Sequence, residues 1–127
     1  MNQLLHSDIT EKILGAAFEV HNYLGCGFLE KVYQRALILE LNVQDWRIFS
    51  EFETDIYYKE APVPIGCCRA DVIINDCVLI EIKSTPIIEP THIAQTLNYM
   101  KVFDIEVGLL LCFGGKSLLY KRLVLNK

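Results

Sequence analysis

The chain has no excess of positive charge, no long apolar run and no cysteine pattern that would hold zinc. Each absence removes a class of protein. Twelve Lys and Arg stand against sixteen Asp and Glu, a formal net charge of −4. Nucleic-acid binders are more often basic, so tight autonomous binding to DNA is not expected. An enzyme whose working groups are themselves acidic is not excluded. The apolar segments are short and broken by charge, so none supplies the roughly 20 residues needed to cross a bilayer, and no membrane partner is expected. The N-terminus has no basic region followed by an apolar run, so a secretion signal is not expected and a cytoplasmic location is. The five cysteines, Cys26, Cys67, Cys68, Cys77 and Cys112, are odd in number and fit no metal spacing. They are expected to be reduced, with Cys77 and Cys112 in the core. There is no repeat, linker or low-complexity stretch, and 52% of the 127 residues are hydrophobic. One domain is expected, large enough to bury roughly two thirds of its unfolded surface.

The order of elements follows from periodicity. Ser7-Asp8-Ile9-Thr10-Glu11 predicts a helix start, with Asp8 and Glu11 at capping-box spacing. Ile9, Ile13, Ala16, Ala17, Val20 and Leu24 then recur at helical spacing, and Gly25-Cys26-Gly27 ends the helix. A second helix is predicted from about Leu29 to Leu41. Arg47–Tyr58 alternates as a strand, with Glu51, Glu53 and Asp55 on one face. Two further strands are predicted near Arg69–Ile74 and Val78–Lys83. A helix follows over Thr91–Phe103, then a buried strand over Val107–Phe113 and a last strand over Ser117–Leu125. The order α, α, β, β, β, α, β, β implies a mixed β-sheet with helices packed on it, in the α/β class.

Two acids and a base interrupt the strand-like hairpin sequence: Asp71 in the first arm, Glu81 and Lys83 in the second. Buried charge is costly unless it is paired, hydrogen-bonded or bound to a metal. Side chains alternate along a strand, so register decides whether Asp71 and Glu81 meet. A two-residue Asn75-Asp76 turn pairs Asp71 with Ile80 and points the carboxylates to opposite faces. A three-residue loop, Asn75-Asp76-Cys77, sets Asp71 opposite Glu81, and a bulge achieves the same. Two facing carboxylates repel unless a cation lies between them. Hard oxygen donors favour Mg²⁺ or Mn²⁺. Lys83 would then orient an attacking water and stabilise developing negative charge. Gln95 and Tyr99 share a face of the predicted third helix, with His92 one turn earlier. Glu30 and Tyr33 lie in the first turns of the second helix, where the helix dipole favours a carboxylate.

Together these residues resemble a known family. Gly27, Glu30 and Tyr33 match the GxxExxY signature of a small family in the PD-(D/E)XK nuclease-like superfamily. Asp71 and Glu81-Ile82-Lys83 match the superfamily's Asp…Glu-x-Lys core, and Gln95 and Tyr99 match its Gln-xxx-Tyr helix. Ala70 stands where the superfamily's name has proline. The resemblance implies a restriction-endonuclease-like αβββαβ core. It implies Mg²⁺ or Mn²⁺ held by Asp71 and Glu81, with the Ile82 carbonyl and Glu30 as further ligands. Lys83 and Gln95 would complete the catalytic set, and Tyr33, Arg69 and Tyr99 would contact substrate. The reaction implied is phosphodiester hydrolysis of nucleic acid, DNA foremost. The alternative is a catalytically weak or inactive module on the same fold that binds nucleic acid or assembles with itself. The mean hydropathy of +0.27 points to a self-association surface, and hence to a homo-oligomer. Hydrolysis of a nucleotide or small phosphoester ranks below both, because Gly114-Gly115-Lys116 lacks the spacing of a phosphate-binding loop.

Overall fold

The computed structural model describes residues 5–125. Helix α1 spans Ser7–Leu24 and buries Thr10, Ile13, Ala17, Val20 and His21, one stripe at helical spacing. Its start differs from expectation. His6 occupies the cap position in the left-handed region (φ 55°), and no side chain caps the helix. Asp8 is in the first turn instead, where it faces the positive end of the helix dipole. Helix α2 spans Glu30–Leu41 and buries Tyr33, Gln34, Leu37 and Leu41. The link between them turns at Gly25 (φ 73°) and Gly27 (φ 107°), angles that glycine adopts without strain.

The strands are β1 (Ile48–Ile56), β2 (Gly66–Ile74), β3 (Val78–Lys83), β4 (Val107–Cys112) and β5 (Leu119–Val124), and α3 (Pro90–Phe103) joins β3 to β4. Here the capping box does form. The Glu89 carboxylate accepts the His92 backbone N–H, and the Glu89 N–H donates to His92 Nδ1 at 3.1 Å, with Pro90 opening the helix. His92 is therefore occupied in holding the helix start.

The sheet runs β1-β2-β3-β4-β5. β3 and β4 are parallel because α3 crosses between them, and the other neighbours are antiparallel. α1 and α2 cover one face, burying Ile13, Tyr33, Leu37, Val72, Ile80 and Leu109 in one cluster. α3 covers the other, where Met100 packs with Ile73, Leu79 and Leu123. This is the expected α/β mixed sheet flanked by helices, consistent with a restriction-endonuclease-like core. Cys112 is buried as expected, and Cys77 is half-buried.

The β2–β3 hairpin takes the three-residue form. Ile74 pairs with Val78, Ile73 with Leu79 and Val72 with Ile80, leaving Asn75, Asp76 and Cys77 as the loop. Asn75 and Asp76 both have positive φ (51° and 56°), a conformation that Asn and Asp tolerate better than other side-chain-bearing residues. Arg47 pins this loop: its N–H donates to Asn75 Oδ1 at 2.8 Å, and its guanidinium donates to Asp76 Oδ2 at 2.6 Å. A second irregularity lies at the other end of β2. Ser50 pairs with Val72 and Phe52 with Ala70, yet Glu51 and Asp71 between them do not pair, and Glu51 has φ 52°. Ala70 packs in the α3 cluster while Val72 packs in the α1/α2 cluster. The face alternation of β2 thus slips by one residue at Asp71.

Candidate active site

The slip opens the β2–β3 ladder where the two acids sit, and their side chains fill the gap. Glu81 Oε2 accepts the Asp71 backbone N–H at 3.1 Å, and Asp71 Oδ2 accepts the Ile82 N–H at 2.8 Å. Each carboxylate replaces a ladder carbonyl of the opposite strand. Each of these bonds uses one oxygen of its carboxylate. From α2, buried Gln34 donates to the Asp71 carbonyl at 3.3 Å and holds the distorted strand.

These groups line an open cleft of about 380 Å³. Of the residues singled out in the sequence, the cleft brings together Glu30, Arg69, Asp71, Glu81, Lys83, Gln95 and Tyr99. Glu53, Cys67 and Cys68 complete its lining. Lys83 Nζ donates to Gln95 Oε1 at 2.5 Å, and Gln95 Nε2 donates to the Tyr99 hydroxyl at 3.4 Å. The amide's orientation is thus set by the ammonium on one side and the phenol on the other. Glu30 reaches the cleft from the start of α2, where its carboxylate accepts the Ser84 N–H at 3.4 Å.

One expected residue is placed elsewhere. Tyr33 does not contact the cleft: it is fully buried and stacks on Phe113 with ring centroids 4.5 Å apart. Its hydroxyl donates to the Gly25 carbonyl at 2.7 Å and accepts the Phe28 N–H at 3.2 Å. This fastens the glycine turn that leads into Glu30, so the substrate contact expected of Tyr33 is replaced by a structural one. The Ile82 side chain lies in the core, and only its backbone can serve the site. Two basic side chains near the cleft are paired with acids. Lys31 is ion-paired with Glu51, and Arg69 lies 4.0 Å from Glu53.

The electrostatics mark the two acids as a strained pair. Burial and the neighbouring Asp71 carboxylate push the Glu81 carboxyl up to about 8, and burial also raises Asp71. Burial raises the Tyr99 phenol, and burial with Cys67 and Glu81 nearby raises the Cys68 thiol, which therefore stays protonated and unreactive near neutral pH. Hydrogen bonds from two backbone N–H groups hold the carboxylates in place despite this cost.

Hard oxygen donors that are largely shielded from solvent, mutually repelling and fixed in position suit a divalent cation. Among the described residues no three His, Cys, Asp or Glu side chains converge on one point. The protein therefore offers two carboxylates rather than a closed cage. That suits Mg²⁺, which keeps several waters and takes one or two carboxylates. No helix among the described residues is long and apolar enough to cross a membrane.

Three contributors to the site were not read from the sequence. Gln34 sits on the apolar face of α2 between buried Tyr33 and Leu37, and a polar side chain in such a stripe is a usable signal. Gly114 packs so tightly that a Cβ there would lie 2.4 Å from the Ser84 carbonyl oxygen, and its N–H donates to the Thr85 carbonyl at 3.0 Å. It fixes the chain leaving Lys83, and nothing local in sequence indicates that approach. Glu53 was visible only as one of several acids on a strand.

Neither the curated proteins nor the solved structures gave a match to this chain. A family model described as the PD-(D/E)XK nuclease superfamily matches residues 7–123. With the Asp71, Glu81 and Lys83 arrangement at the opened hairpin, the chain belongs to the PD-(D/E)XK nuclease superfamily.

Proposed function

We propose that this cleft is the active centre of a metal-dependent nuclease of the GxxExxY type, hydrolysing phosphodiester bonds of nucleic acid, with DNA as the substrate class. The observation that carries the reading is the reciprocal capture of Asp71 and Glu81 by each other's strand, which fixes a half-buried and a buried carboxylate side by side. Mg²⁺ or Mn²⁺ would be held by Asp71, Glu81 and the Ile82 carbonyl. When bound, such an ion polarises a phosphoryl oxygen and lowers the pKa of its water. Lys83 presents an ammonium beside the carboxylates, where it attracts a scissile phosphate and offsets charge developing on it. Gln95 holds that ammonium in line. Glu30, at the positive end of α2, is placed to accept a proton or to hold a metal-bound water.

The carboxylate pair gives a test with a thermodynamic readout. Burial and the Asp71 carboxylate push the Glu81 carboxyl from its ordinary value of 4.5 up to about 8 in the folded protein. Between those values the native state binds the extra proton, so metal-free stability falls as pH rises through that window. Over that window the metal-free Tm is expected to fall, by at least the few degrees that about 1 kcal/mol produces in a small domain. Mn²⁺ replaces the proton and restores the Tm at pH 8.5, while Glu81→Gln flattens both responses. A wild-type Tm at pH 8.5 that ignores millimolar Mn²⁺ and Mg²⁺ would rule out the metal site.

Self-association accompanies this reading. Tyr23 on α1, Leu39 on α2 and Val43 just beyond α2 are 86%, 72% and 83% exposed, apolar surface suited to a second copy. Light scattering is expected to give twice the 14.6 kDa chain mass; a monomer at micromolar concentration contradicts it.

A further inference from the structure

We propose that Glu53 is a counter-ion latch on Arg69, holding the cleft's one readily released cation until a substrate phosphate displaces it. The inference rests on the nuclease reading above. Glu53 on β1 and Arg69 on β2 stand directly opposite in the antiparallel ladder, and both line the cleft. Their charged groups lie 4.0 Å apart, with side chains 56% and 62% exposed for Arg69 and Glu53 respectively. Exposed pairs of this kind contribute about 0–1 kcal/mol, so the guanidinium can change partners at little cost.

The lining carries only two positive side chains, Lys83 and Arg69. Lys83 is engaged at the reacting centre: Gln95 accepts its ammonium at 2.5 Å, and the Asp71 and Glu81 carboxylates lie close enough to feel its charge. Arg69 is the cation left for a neighbouring phosphate, and its planar fork matches two phosphate oxygens. Against it stand Glu30, Glu53, Asp71 and Glu81 in the same lining. Glu53 thus lowers the affinity of Arg69 for phosphate modestly, by no more than the worth of that pair.

The test measures binding of a fluorescein-labelled duplex, and of the same sequence as a single strand, in Ca²⁺ at low salt. Ca²⁺ supplies the divalent charge with a looser coordination geometry than Mg²⁺. Glu53→Gln is expected to tighten binding about twofold to fivefold, matching the release of a pair worth up to about 1 kcal/mol. Arg69→Gln weakens binding and lowers the salt dependence by about one phosphate contact. In the Arg69→Gln background Glu53→Gln gives no tightening. Asp55→Asn, two residues along β1 and equal in charge change, gives a smaller effect than Glu53→Gln. Tightening that persists without Arg69, or that Asp55→Asn reproduces in full, is a general charge effect and overturns the latch. Wild-type binding with no response to Glu53→Gln overturns the latch alone. Failure of the wild type to bind either nucleic acid overturns both the latch and the nuclease reading.

Discussion

Lys83→Ala is expected to reduce Mn²⁺-dependent cleavage by about 100-fold to 1,000-fold, the loss typical of one preorganised electrostatic group, while leaving the fold in place. The side chain sits at the end of β3, where it is only partly buried and makes one side-chain hydrogen bond, to Gln95. Removing it leaves no buried group without a partner, so thermal stability should change little. Its charge lowers the carboxyl pKa values of both Asp71 and Glu81. The variant should therefore bind metal only at higher pH, and any residual pH–rate profile should move upward. Lys83→Arg is not expected to restore the rate, because a planar guanidinium cannot reproduce a point charge so close to the Gln95 oxygen. Asp71→Ala is a poorer probe. It strips the acceptor from the Ile82 N–H, and a buried unpaired donor costs about 1–3 kcal/mol. A cleavage loss there mixes catalysis with folding. Full activity of Lys83→Ala in a kinetic assay would remove Lys83 from the chemistry.

Gly114→Ala is expected to destabilise the protein by about 1–3 kcal/mol, as overpacking does, and to impair cleavage. A Cβ would lie 2.4 Å from both the Ser84 carbonyl oxygen and the Thr85 carbonyl carbon, backbone atoms that cannot swing aside. The segment that must move is tied to β4 by the Phe113 N–H donating to the Lys83 carbonyl at 2.9 Å. It also carries the Ser84 N–H that Glu30 accepts. Displacing it shifts Lys83 and Glu30 together. Gly66→Ala is the control, since a Cβ there meets nothing within 4 Å. Denaturant unfolding of the two variants should separate them, and equal midpoints for Gly114→Ala and wild type would contradict the packing argument.

The elements that were legible in the sequence are those whose own pattern specifies them. α1, α2, α3 and all five strands follow from apolar periodicity, with no end displaced by more than three residues. The hairpin register was posed as a choice between loop lengths. The choice made by the fold depends on two positive-φ residues and on Arg47, a strand away, gripping Asn75 and Asp76. Local sequence cannot show that grip. Helix caps misled in one case. Ser7, Asp8 and Glu11 have capping-box spacing but lie inside α1, while Glu89 and His92 form the box at α3. The resemblance implies a substrate contact for Tyr33. Helical spacing alone puts it one turn on, with Leu37 and Leu41 in the buried stripe. The slip at Asp71 is a tertiary effect: it needs Glu51 in a strained conformation, Gln34 from another helix and two acids able to replace ladder carbonyls.

The central claim, that the Asp71–Glu81 pair with Lys83 forms a nuclease centre, is tested most directly by incubating the purified protein with linear, circular and single-stranded DNA and with RNA, in Mn²⁺ or in chelator. The account predicts Mn²⁺-dependent cleavage of at least one DNA form, absent with chelator and lost in Lys83→Ala. Absence of cleavage of every substrate by a folded, Mn²⁺-responsive wild type, or cleavage that persists undiminished in Lys83→Ala, would contradict it.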